Sequence, residues 1–265
     1  MGVFKFVSYW ETAAGRLMPP YVALALVSIQ RALGDSFLLL TPENTPEYIG
    51  TDYLNKTWGF TKLGFDFAPN VAAIVAKADF IRMAYVYQHG GVWLDADTLV
   101  FSDPTPYIFG TGPTAKLHWY SEAFFGSRPG NALLEQAVVS ALNSESHDWG
   151  NPGNIRGLIA HEPNLVLPIS NYWLDPGYRP MYNFTTCEVM RSTEVTIEEF
   201  FTNSDMKLLQ LYNTYFSRTA TLQQSVSEFL QSNTLLAKLY LHLEPNKDYW
   251  LSEANTLIAR CQFPG

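Results

Sequence analysis

Two carboxylates, Asp95 and Asp97, stand two positions apart at the end of the apolar run Val92-Trp93-Leu94. On an extended backbone residues two apart share a face, so both side chains can point the same way and offer hard oxygen ligands to a divalent cation. Mg²⁺ or Mn²⁺ held by only two carboxylates completes its shell with water and substrate phosphates, so the arrangement suits a metal that bridges protein to a nucleotide diphosphate. Upstream, Asp79 and Arg82 are three apart on a helical stretch, which puts them on one face where they can pair or meet a polar ligand. Alone, an Asp-x-Asp is a solvated turn, and an Asp/Arg pair is a surface ion pair contributing about 0.3 kcal/mol. The ordered combination from Ala78 to Asp97 is what carries the chemistry.

The elements that must position these groups follow from hydrophobic period and punctuation. Val3 to Tyr9 predicts a buried strand, Pro19-Pro20 opens an apolar helix running to about Leu33, Gly34-Asp35 ends it, and Ser36 to Leu40 predicts a second strand. Strand, helix, strand opens an α/β layer fold with parallel pairing. Residues 41–70, rich in Pro, Gly, Asn and Thr, predict irregular structure with short helical pieces. Val71, Ile74, Val75, Ala78, Ile81 and Tyr85 recur at helical spacing up to His89, and Gly90-Gly91 supplies the left-handed stop. Val92 to Leu94 is then a short strand, Thr98 to Phe101 continues extended, and Asp103-Pro104-Thr105-Pro106 breaks the chain. Ala123 to Ser127 predicts a strand, Asn131 to Asn143 a helix, and 144–206 mostly loops with short strands such as Leu165 to Pro168. Lys207 to Tyr212 predicts a strand and Leu222 to Leu243 one long amphipathic helix.

Composition removes several function classes. The 265 residues, 47 % of them apolar, support a sizeable core, and a net charge of −8 gives no basic surface for nucleic-acid phosphates. The strongest apolar run, Val22 to Ile29, ends at Gln30-Arg31, far short of the ~20 residues of a spanning helix, so no transmembrane segment is expected. The start Met-Gly-Val-Phe-Lys-Phe lacks the pattern of a secretory signal, which places the expected location in the cytoplasm. Cys187 and Cys261 read as free thiols. Aromatic residues make up 15 % of the chain, a share that serves cores and sugar- or base-stacking sites alike.

The stretch Ala78-Asp79-Phe80-Ile81-Arg82, then Gly90-Gly91-Val92-Trp93-Leu94-Asp95-Ala96-Asp97, resembles the nucleotide-sugar-dependent glycosyltransferases of GT-A fold. The group in question includes the Och1-like mannosyltransferases, capsular polysaccharide synthesis proteins and the glucosyltransferase domains of large clostridial toxins. Phe6-Val7-Ser8-Tyr9-Trp10 and Phe124-Phe125-Gly126-Ser127 resemble the family more loosely, and nothing aligns beyond about residue 145. The resemblance implies an α/β fold, a Rossmann-like mixed sheet flanked by helices with a helical C-terminal end. It also implies one domain over 1–265, with the donor part at about 1–130 and the acceptor side beyond.

It further implies that Asp95 and Asp97 hold Mn²⁺ or Mg²⁺ and the donor diphosphate. Asp79 and Arg82 would hold the sugar and ribose, with Trp10 on the base and Tyr9 and Gly91 in the donor site. Asp79, Arg82 and Asp97 are the expected catalytic residues. Relatives add a late His or Asn to the metal. Here the corresponding stretch is Gln210-Leu211-Tyr212-Asn213, leaving Asn213 or His242 as candidates, while His118, His147 and His161 read as structural or exposed. The group transfers a sugar from a nucleotide-diphosphate donor, here a UDP-sugar ahead of a GDP-sugar, to a glycan, glycolipid or protein with retention. An inverting enzyme needs a carboxylate base, for which Glu122 or Asp148 could serve.

Two rival readings use the same residues. Val92 to Val100 also fits the apolar strand and Asp-x-Asp-x-Thr of haloacid-dehalogenase-like phosphatases, with Asp95 as nucleophile, although only Glu198-Glu199 and isolated acids follow. The other is an inactive domain that binds sugar or protein, against which the intact Asp79, Arg82, Asp95 and Asp97 argue.

Overall fold

The computed structural model describes residues 4–49, 66–68, 70–144, 146–174, 186–201 and 206–264. Most of the irregular stretch expected over 41–70 therefore lies outside the described residues. In chain order the elements begin with β1 (Phe6–Tyr9), α1 (Pro20–Leu33), β2 (Phe37–Leu40) and α2 (Thr45–Ile49). Next come α3 (Val71–His89), β3 (Gly91–Leu94), β4 (Thr98–Val100), β5 (Leu117–Ser121) and β6 (Phe124–Ser127). They continue with α4 (Ala132–Leu142), α5 (Ile155–His161), β7 (Val166–Pro168), α6 (Thr186–Arg191), α7 (Ile197–Phe201) and β8 (Leu208–Gln210). The chain closes with α8 (Asn213–Phe216), α9 (Val226–Gln231), α10 (Leu235–Leu243) and α11 (Lys247–Arg260).

Six strands form one mixed sheet in the order β2-β1-β3-β6-β5-β7. β1 pairs in parallel with β2 and β3, β6 runs antiparallel to β3 and β5, and β7 returns parallel to β5. β4 and β8 make a separate antiparallel ribbon. Because side chains alternate along a strand, the central strands feed two cores. Phe6, Val92, Leu94 and Phe124 pack on one face with α1 and the C-terminal helices, while Val7, Trp93 and Phe125 pack on the other with α3 and α4. The result is the expected α/β architecture, helices on both faces of a mixed sheet.

Three expectations needed correction. The long helix over Leu222 to Leu243 is two helices, α9 and α10, broken where Asn233 takes a left-handed φ of 55°. Ser225 caps α9 through a capping box and Thr234 caps α10, so side-chain oxygens at Ser and Thr take the backbone donors that a continuous helix would have used. The segment 144–206 is richer in helix than expected, holding α5, α6 and α7. β5 and α11 were not foreseen. α11 starts at an Asn246 cap and buries Trp250 completely, which a polar sequence around a single large anchor concealed from periodicity.

Gly90 and Gly91, at φ 69° and 99°, turn the chain sharply from α3 into β3. At Gly91 a Cβ would run into the Lys5 carbonyl oxygen, where the two parallel strands approach. Gly91→Ala should therefore destabilise the fold by about 3 kcal/mol or more, combining left-handed strain with the clash, as read by urea unfolding. A variant as stable as the parent would remove the close-approach argument.

Candidate active site

Parallel strands deliver their C-terminal ends to a common crevice, and here β1 ends at Tyr9 just before Trp10 and β3 at Leu94 just before Asp95. A cleft of about 640 Å³ opens there, lined by Tyr9, Trp10, Asp79, Arg82, Asp95 and Asp97 among others. Helix α3 supplies one wall. Asn70 caps it by accepting from the Ala73 N–H at 3.0 Å, and Val71, Ile74, Val75, Ala78, Asp79 and Arg82 lie along its cleft-facing side. The wall is thus aliphatic in its first two turns and charged deeper in.

Asp79 is only 2 % exposed and ion-pairs with Arg82, one turn on. Arg82 also donates to the Glu122 carbonyl at 2.9 Å and brings its NH1 to 3.6 Å from Asp95 Oδ1. Burial lowers the Arg82 pKa, opposed by Asp95 and Glu122. Among the described residues its Nε has no hydrogen-bond partner although it is buried.

Asp95 and Asp97 bridge β3 to the β4/β8 ribbon. The Asp95 N–H donates to the Ala123 carbonyl at 2.9 Å, and its Oδ1 accepts from the Trp93 indole N–H at 2.7 Å, leaving the side chain one-third exposed toward the cleft. Asp97 is clasped by the strand opposite: Gln210 Nε2 donates to Oδ1 at 2.9 Å, the Asn213 N–H donates to Oδ2, and the Leu211 N–H takes the Asp97 carbonyl at 2.9 Å. Tyr212, between them, adopts a left-handed φ of 57° to make this clasp. Burial raises the pKa of both acids, and Asp97 is pushed up to about 6 by burial and then by the Asp95 charge. Two mutually repelling carboxylates with hard oxygen donors at a cleft fit a divalent cation whose remaining ligands come from water or substrate. Among the described residues no group of three or more His, Cys, Asp or Glu side chains stands ready to cage a metal.

The other expected residues divide. Trp10 lines the cleft, its indole N–H fixed to Thr12 at 3.0 Å, and Tyr9 lines it with its hydroxyl given to Glu11. Asn213 reaches the site, but its backbone serves Asp97 and its side-chain Oδ1 accepts from the Tyr21 hydroxyl. His242 stacks near Phe201 on α10, away from the cleft lining. Gly91 is also absent from that lining, and its glycine is required by the Lys5 backbone. The Glu122 carboxylate pairs with Arg156 through both oxygens, and Asp148 lies in a separate polar pocket beside Asn154. Neither offers a carboxylate to the cleft.

Sequence reading passed over three groups. His147, read as structural or exposed, places Nε2 at 2.8 Å from Asp79 Oδ2. Gln210 orients Asp97, its own Oε1 accepting from Thr98 at 3.1 Å. Lys77 and Glu11 form a fully buried pair at 2.6 Å at the cleft. The Lys77 position on α3 beside Asp79 was the available signal, whereas His147 and Gln210 are joined to their acids only by the fold.

The Asp97 shift makes a prediction with a definite sign. A carboxyl whose folded pKa lies near 6 against an ordinary 3.8 binds its proton more tightly in the folded state, so stability falls as pH rises from about 4 through 6. Asp97→Asn, whose amide does not titrate in this range, should flatten that fall. Calorimetric melts from pH 4 to 8 check it, and identical profiles for the two proteins would clear Asp97 of the effect.

No curated protein matches the chain in sequence. Among solved structures the chain is similar to the apo-form glycosyltransferase GlyE of Streptococcus pneumoniae TIGR4, at 12 % identity and a TM-score of 0.49, over 100 % of this chain and 66 % of that one. The chain thus spans 66 % of the length of that structure. Residues 43–110 match the model of a family described as a glycosyltransferase sugar-binding region containing a DXD motif. The matched segment contains α3 and Asp95-Ala96-Asp97.

Proposed function

We propose that this protein transfers a sugar from a nucleotide-diphosphate donor, a UDP-sugar ahead of a GDP-sugar, to a hydroxyl of a glycan, glycolipid or protein acceptor. It does so as one domain, with dependence on Mn²⁺ or Mg²⁺ and with retention of anomeric configuration. The observation that carries the reading is Arg82: a buried guanidinium, paired to Asp79, reaching toward Asp95 with an unpartnered Nε, in a cleft that also holds Trp10 and Asp97.

A cation held by Asp95 and Asp97 would supply positive charge against the departing diphosphate. Arg82 supplies a second, permanent charge. Preorganised by Asp79 and the Glu122 carbonyl, it needs no rearrangement as charge develops, and one such donor is typically worth about 3 kcal/mol of barrier. Trp10, its indole pinned by Thr12, offers a ring face to the base, and Tyr9 braces the turn through Glu11. Retention is supported by how the cleft carboxylates are used. Glu11 is spent on Lys77, Asp79 on Arg82 and His147, and Glu122 on Arg156 outside the cleft lining, so among the described residues none of these acids is left to deprotonate an acceptor.

The phosphatase alternative finds no such support, since Glu198 and Glu199 sit on α7, where Glu199 caps its own helix by accepting from the Thr196 N–H at 2.7 Å.

Titration calorimetry of UDP, GDP and their sugar conjugates, with Mn²⁺ and again with EDTA, tests the reading. Binding of one nucleotide that needs the metal is the expected result, and Asp97→Asn should cut transfer at least about 100-fold while the protein still folds. Absence of nucleotide binding, with phosphate-ester hydrolysis that Asp95→Asn abolishes, would replace the transferase by the phosphatase. Binding without turnover would leave a sugar-binding domain.

A further inference from the structure

Asp79 accepts from three groups. Arg82 takes Oδ1, and on Oδ2 converge His147 Nε2 at 2.8 Å and the Gly150 N–H at 3.3 Å, both from the loop that follows α4. The same loop returns to Arg82 by a second route. The Gly150 carbonyl accepts from Arg156 at 3.4 Å, Arg156 grips the Glu122 carboxylate, and the Glu122 carbonyl accepts from Arg82 at 2.9 Å. Asp79, Arg82, Glu122, Arg156 and Gly150 therefore close a ring of polar contacts. His147 meets this ring at Asp79.

We propose that His147 is a positioning residue of the donor site, holding the Asp79 carboxylate in the rotation that aims Arg82 at Asp95. The words donor site rest on the transferase reading above. A carboxylate this deeply buried needs its oxygens satisfied, and the terminal torsion of Asp is broad, so its orientation is set by its donors. Remove the imidazole, and Oδ2 keeps only the long Gly150 contact while Oδ1 keeps the guanidinium. The carboxylate then turns to bring both oxygens onto Arg82, drawing the guanidinium toward α3 and away from Asp95.

The ring itself is braced for this task. Its side chain is nearly buried and the Trp149 indole, 56 % exposed, packs edge-on against it at 4.9 Å. Burial and the Arg82 charge both disfavour the imidazolium, with Asp148 opposing, so the neutral ring donates through its Nε2–H. A neutral donor orients Asp79 without competing with Arg82 for its charge.

The test compares His147→Ala with His147→Gln, whose amide can restore an N–H donor. In the ligand-free protein, the side-chain Nε–H resonance of Arg82, assigned through its loss in Arg82→Lys, should shift in the alanine variant and return toward its native position in the glutamine variant. With a nucleotide-sugar that the wild type turns over, alanine should raise KM about tenfold with kcat less affected, and glutamine should recover most of it. If alanine does not fold, His147→Phe, which keeps the ring against Trp149 and lacks the donor, takes its place. An Arg82 resonance unmoved by alanine, or glutamine no better than alanine, overturns the proposal. Should the wild type bind no nucleotide-sugar, the transferase reading fails on that result, while the Arg82 resonance still decides the role of His147.

Discussion

A guanidinium buried beneath a cleft is tolerable only if the surrounding chain supplies acceptors for it, and most of the architecture around Arg82 serves that requirement. An isolated buried cation would cost several kcal/mol, and it is offset here by Asp79 one helical turn away, the Glu122 carbonyl on the β5 to β6 connection, and Asp95 beyond β3. Each partner comes from a different element, so the position of α3 against the sheet, the sharp Gly90-Gly91 exit and the β3/β6 pairing all converge on one side chain. The surrounding ring through Arg156 and Gly150 then locks the loop after α4 to the same point.

The cleft holds two acids in a setting that disfavours their charge. Asp95 and Asp97 repel each other, and burial opposes the ionisation of both. The clasp of Gln210 and Asn213 on Asp97, purchased with a left-handed Tyr212, holds the charged form in place where the fold alone would expel or protonate it.

Residues far apart in sequence meet at this one cleft. Asp97 is governed by Gln210 and Asn213, more than a hundred positions later, and Asp79 by His147 and Gly150, about seventy positions later. The β4/β8 ribbon and the loop after α4 are therefore parts of the site, although neither touches the main sheet's central strands through chemistry visible in the sequence.

What the sequence determined by itself was local. Hydrophobic period and glycine punctuation specified β1, α1, α3 and β3 to within a few residues, because helix and strand periods and left-handed stops are properties of neighbours along the chain. The Asp79/Arg82 and Asp95/Asp97 pairs were legible for the same reason, each lying within one turn or one extended step. The break between α9 and α10 escaped because the Thr234 cap and the left-handed turn at Asn233 outweighed a continuous apolar pattern. Only the tertiary structure decided that Glu122 belongs to Arg156, that Gly91 serves the Lys5 backbone, and that His147 and Gln210 orient the two acids. Those assignments depend on which donor and acceptor are buried together, a property of long-range packing that residue spacing along a single chain does not encode.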